Sequence, residues 1–157
     1  MRIAGISLFV DGVARPIAPG ELDRCERLLG AQFPKCYRDF VMQVGAGYFQ
    51  DIPVRVSAPQ HILDTTPKDR ERLRQYWFWH DSEAILTQEQ GIQSIQCFDT
   101  DIGHDIRYLP VDSSVFYLLS RDDSSIVRCR DLSDVLKFVF DGEETPAEPY
   151  TFTPYSK

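Results

Sequence analysis

The chain has 157 residues, 43% of them hydrophobic and 26% charged, which fits one globular domain able to bury about 70% of its unfolded surface without disulfide or metal staples. Its net charge of −7 and pI of about 4.9 create a field that repels phosphate backbones and anionic lipid, so neither nucleic acid nor membrane is expected as a direct partner. Cys25, Cys36, Cys97 and Cys129 lie far apart with no C-x-x-C pair, which argues against a zinc site or redox motif and for core thiols in a reducing cytoplasm.

In chain order, Ile6 to Val10 is an apolar run stopped by Asp11, too short for a signal peptide or a membrane span. The β-branched and aromatic residues of 2–17 around Asp11-Gly12 predict a strand or hairpin turning at that dipeptide. Leu22, Cys25, Leu28 and Leu29 then fall on one helical face, with Gly30 as C-cap. Pro34 takes the first helical position of a second helix marked by Tyr37, Phe40, Val41 and Val44, which the break Gly45-Ala46-Gly47 ends.

Asp51 to Ser57 predicts a strand. Thr66-Pro67-Lys68-Asp69 reads as the start of a charged helix whose Lys68, Arg70, Arg72 and Arg74 form a solvated face. That helix runs toward the aromatic block Tyr76, Trp77, Phe78 and Trp79. Ile92–Phe98, Ile106–Leu109, Val115–Ser120 and Ser125–Arg130 predict an antiparallel meander. Asp131 or Ser133 then caps a last helix carrying Leu132, Val135, Leu136 and Val139, closed by Gly142. Residues 143–157 are acidic and interrupted by Pro146, Pro149 and Pro154, so an extended tail is expected, docked through Tyr150, Phe152 and Tyr155. No repeat or change of composition divides residues 1–157 into more than one domain.

The stretch Cys97-Phe-Asp-Thr-Asp-Ile-Gly-His-Asp105 concentrates acidic residues. As a calcium loop starting at Asp99 it would need glycine at its sixth position and glutamate at its twelfth, where His104 and Pro110 stand. A metal-dependent hydrolase built on Asp99, Asp101 and Asp105, with help from His80, Asp81 or Glu83, is the catalytic alternative. The competing reading is a hairpin loop whose aspartates bond their own backbone while Gly103 supplies a positive φ. No G-x-S-x-G elbow is present, Cys36 sits on a core-facing helix, and Gly45-Ala46-Gly47 follows a helix where a phosphate loop would follow a strand. We therefore expect no catalytic residue, metal or cofactor.

Several motifs recur in a telling order: Leu29-Gly30, Phe33-Pro34, Tyr37, Phe40-Val41, Gly45-Ala46-Gly47-Tyr48-Phe49, then Phe98 to Asp105 and the closing Leu132 to Val139. Over about residues 19–142 this pattern resembles the SUKH superfamily of Smi/Knr-like domains, which includes fungal cell-wall-synthesis regulators and bacterial toxin-immunity proteins. The first break is usually Asn-Gly-Gly in that family, and the acidic motif usually ends Gly-Asp without the intervening His104. The resemblance implies a single α+β domain, a mostly antiparallel β-sheet with helices packed on it, and no catalysis. It further implies an immunity protein that binds and neutralises a cognate toxin, with a Smi/Knr-type regulatory or scaffold module as the alternative. An acidic protein suits a basic toxin. The residues expected at such an interface are Asp99, Asp101, Asp105, Glu83, Trp77 and Trp79.

Overall fold

A computed structural model describes residues 1–77, 83–101, 103–140 and 148–156. They form a nine-stranded mixed sheet, ordered β1-β2-β9-β3-β4-β5-β6-β7-β8, and five helices, an α+β architecture. Only the β2–β9 pair is parallel. All the other neighbours run antiparallel.

Strands β1 (Arg2–Ile3) and β2 (Ile6–Val10) form the opening hairpin. Its turn lies at Ala4-Gly5, with φ of 52° and 82°, and not at Asp11-Gly12 as the sequence predicts. Beyond Val10 no strand returns along β2, because β9 already holds that edge and the Asp11 amide donates to the Phe152 carbonyl at 2.8 Å. The chain instead runs along α2, with the amides of Arg15 and Ile17 donating to the carbonyls of Val44 and Val41.

Helix α1 (Pro19–Leu29) buries Leu22 and Cys25 and ends at Gly30, whose φ of 76° is the left-handed cap. Pro34 is extended and directly precedes α2 (Lys35–Gln43), one position earlier than predicted. Tyr37 gives the Phe-Pro-x-x-Tyr motif its physical meaning. Its ring packs 5.0 Å from that of Phe33, and its hydroxyl donates to the Ser57 carbonyl at 2.6 Å, tying α2 to the segment that opens α3. The glycine break is a matter of close approach: a Cβ on Gly45 would lie 2.3 Å from the Arg15 carbonyl oxygen, and one on Gly47 would lie 2.2 Å from that of Thr153.

Strands β3 (Gly47–Phe49) and β4 (Val54–Val56) follow. Helix α3 begins at Pro59, not near Thr66, and runs to Gln75 with Pro67 inside it. Pro59 occupies the first turn, where a missing amide costs nothing, and Ile62, fully buried, belongs to the core stripe of that turn. Near Pro67 the hydroxyls of Thr65 and Thr66 donate to the carbonyls of His61 and Ile62. Helix α4 (Gln88–Gln93) replaces the start of the strand predicted from Ile92. Thr87 and Gln90 form a reciprocal capping box that starts it.

The meander β5 (Ile95–Thr100), β6 (His104–Leu109), β7 (Asp112–Ser120) and β8 (Ile126–Cys129) leads to α5 (Leu132–Phe140), capped by Asp131, which accepts from the Asp134 amide at 2.9 Å. The tail then contributes β9 (Tyr150–Pro154), inserted between β2 and β3.

Strand alternation sorts the residues onto two faces. One carries the main core, in which Leu8, Phe49, Val56, Phe98, Ile106, Phe116 and Phe152 meet α1, α2 and α5. Phe152 packs edge-on against Phe40 at 4.8 Å and Phe49 at 5.2 Å. The other face holds a smaller cluster of Leu73, Trp77, Leu86, Leu109, Leu119 and Ile126 beneath the end of α3. Phe152→Ala is expected to destabilise the protein by about 3 to 5 kcal/mol in urea unfolding, whereas Val111→Ala, at a position 90% exposed, changes stability by less than about 0.5 kcal/mol.

Candidate functional site

On β6, Ile106 and Tyr108 point into the main core, so Asp105 and Arg107 point out of the opposite face, under α3. Asp69 and Arg72, three residues apart on α3, meet them. Arg107 is wholly buried and makes ion pairs with Asp69 and Asp105. Its remaining donors reach the Ser94 hydroxyl, the Ser94 carbonyl at 3.0 Å and Gln96. Asp105, with a side chain 1% exposed, receives Arg72 on Oδ2 at 2.6 Å and Arg121 on Oδ1 at 2.8 Å. Burial raises the Asp105 pKa, but the charges of Arg72 and Arg107 and the hydrogen bonds from Arg72 and Arg121 outweigh it, so the carboxyl titrates below its ordinary range.

Beside this network Arg55 on β4 reaches Asp99 and Asp101, each at 2.8 Å. Asp99 also accepts from the Thr100 amide and from Gln96. Where α3 rises from the sheet, a cleft of about 460 Å³ opens over these groups, lined by His61, Asp69, Arg72, Asp99, Asp105 and Arg121. A second hollow of about 440 Å³ continues from His61 and Asp99 toward Arg55 and Tyr155.

The structure separates the expected interface residues. Asp101 is exposed and Asp99 half-buried, whereas Asp105 is not on the surface at all; it is the central anion of a buried ion cluster. Trp77 is 6% exposed and lies against Gly91, where a Cβ would come within 2.3 Å of its ring. It is a core residue of the second face and not a platform. Glu83 is exposed, in the turn before α4. Trp79, His80 and Asp81 lie outside the described residues.

Sequence reasoning missed the arginines. The run from Lys68 to Arg74 reads as solvated, yet Arg72 turns inward, and Arg70 donates to the Gln93 carbonyl at 3.2 Å. The available signal was Asp105 and Arg107 alternating with Ile106 and Tyr108, which marks a strand with one charged face.

Chemically the cleft is a preorganised set of opposite charges. The three aspartates of the acidic stretch are each committed to guanidinium groups, and among the described residues no group of three or more His, Cys, Asp or Glu is arranged to hold a metal ion. The thiols move away from reactivity, since burial pushes Cys36 up to about 12 and Cys129 up to about 11. All four cysteines are free.

Residues 16–137 match the SMI1 / KNR4 family (SUKH-1). The chain belongs to this family. The matched segment runs from the approach to α1 into α5 and contains every residue of the charged network, whereas β1, β2 and β9 lie outside it. No curated protein matches the chain.

Asp105→Asn leaves Arg107 buried without its full counter-charge and is expected to cost about 3 to 5 kcal/mol at pH 7. Because the folded-state pKa is depressed, this difference from wild type persists above the ordinary aspartate value of 3.8 and closes as pH falls through the lower folded-state value. Urea titrations of both proteins between neutral and acid pH measure it.

Proposed function

We propose that this SUKH-1 protein is an immunity protein that binds a cognate toxin domain and neutralises it without catalysis. The observation that carries the reading is family membership across residues 16–137, a family that includes toxin-immunity proteins. The site supports it: the aspartates and arginines of the charged cleft satisfy one another in ion pairs, an arrangement suited to recognition. A net charge of −7 suits a basic toxin, because complementary fields accelerate encounter. Of the acidic residues expected at the interface, Asp101 and Glu83 are exposed and Asp99 is half-buried, while Asp105 holds the arginines beneath them.

No described helix is long and apolar enough to cross a membrane. Four free cysteines suit a reducing compartment, and we place the protein in the cytoplasm, where an incoming toxin would act. The Smi/Knr-type regulatory or scaffold reading draws on the same family match, and one experiment separates the two. Cells expressing the toxin domain encoded beside this gene are expected to grow only when this protein is co-expressed, and the pair to co-elute from a sizing column. Absence of both rescue and complex would sink the immunity reading.

A further inference from the structure

The face of the sheet that carries Asp105 under α3 continues across the other half of the sheet. The pairings Arg2 with Ser7, Phe9 with Thr151, Tyr48 with Thr153, Tyr48 with Arg55 and Arg55 with Asp99 place these residues on one side. Their alternates Ile6, Leu8, Phe152, Phe49 and Val54 are buried in the main core on the other side. Among the described residues no helix packs on this second side of β1, β2, β9 and β3.

Its centre is aromatic. Phe9 is 58% exposed, Tyr48 41% and Tyr155 38%, and the two tyrosine rings lie 6.2 Å apart. Phe9 sits two strands from Tyr48, on the order of 10 Å away. Large aromatic side chains left in water on a flat sheet mark surfaces that another molecule covers.

The rim is acidic. Gln50 bridges Thr153 and Asp11, which sets Asp11 at the border of the aromatic patch. Asp99 and Asp101 flank it on the side of the cleft and Glu148 on the side of β1. Both guanidinium groups on this face are already paired, Arg55 with Asp99 and Asp101, and Arg2 with Glu148 at 3.7 Å. Four carboxylates, Asp11, Asp99, Asp101 and Glu148, against these two guanidinium groups leave a net negative border around an apolar centre, with Asp11 outside both pairings.

We propose that this open sheet face, centred on Phe9, Tyr48 and Tyr155, is the docking surface for a protein partner that presents an apolar patch ringed by lysine and arginine. The inference deepens the immunity reading and rests on it. Strand β2, which supplies Phe9, and Tyr155, the residue that follows β9, lie outside the segment matched to the family. The surface is therefore built largely by what this chain adds at its two ends.

The test uses full-length protein carrying Phe9→Glu and Tyr48→Glu, with Tyr48→Ser, Tyr155→Ser as a milder second variant, against the toxin domain encoded beside the gene. Circular dichroism and melting temperature are expected to match wild type, since the altered side chains lie outside the core, while binding weakens at least about tenfold and growth rescue is lost. If wild type neutralises the toxin and both folded variants bind it equally well, the docking surface is wrong and the immunity reading stands. If wild type itself neither binds nor rescues, the immunity reading fails and this inference with it. A wild-type dimer in sedimentation that the variants abolish would also overturn the proposal, because a second copy would then be the occupant.

Discussion

The insertion of the C-terminal strand between β2 and β3 is the constraint on which the rest of the sheet depends. Among the described residues the opening hairpin pairs with the body of the sheet through β9, which runs parallel to β2 and antiparallel to β3. The same five residues determine both faces. Tyr150 and Phe152 are buried in the aromatic cluster with Phe40 and Phe49, while Thr151 and Thr153 face outward between Phe9 and Tyr48. Both ends of the chain must therefore be in place before the aromatic surface exists, a long-range closure that is slow to form and rewarded only when complete.

The charged network sets where that surface stops. Arg107 and Asp105 could not remain ionised in the protein interior without each other, Asp69, Arg72 and Arg121, since isolated buried charges are strongly disfavoured. The pairings fasten α3 to β6 with directional contacts where the apolar cluster around Leu73 and Trp77 ends. Such networks contribute less to net stability than an apolar core of equal volume, and their clearer effect is to fix the register of one element on another. Here they hold α3 over β5 and β6, and among the described residues no helix covers this side of the sheet beyond β4, with the cleft at the step between.

Local signals carried much of this fold in the sequence. The helices around Leu22 and Tyr37, the closing helix around Val135 and the four-strand meander all follow from periodicity and capping within a dozen residues, and the family resemblance followed from the order of those motifs. What escaped depends on distant partners. Proline interruptions made residues 150–154 read as a docked tail, because nothing nearby reveals that β2 and β3 flank a vacant strand position. The sequence pattern starts α3 at Thr66-Pro67, and its actual start at Pro59 rests on Ile62 being needed in the core. Asp105 looked like a turn carboxylate since its three arginines come from α3, β6 and the turn after β7, a convergence that only the folded chain creates.

The proposed reading, a protein that works by contact, draws on family membership, the satisfied charge cluster and the acidic-rimmed aromatic face. The arginines and aspartates of the buried cluster are spent on one another, and exposed Phe9, Tyr48 and Tyr155 share one open face. Hydroxyl-radical footprinting of the complex with the toxin domain tests this most directly. The account predicts strong protection of Phe9, Tyr48 and Tyr155, with Leu28 and Tyr76 labelled as in the free protein. Unchanged labelling of those three aromatics in a saturated complex, with protection appearing elsewhere, would contradict it.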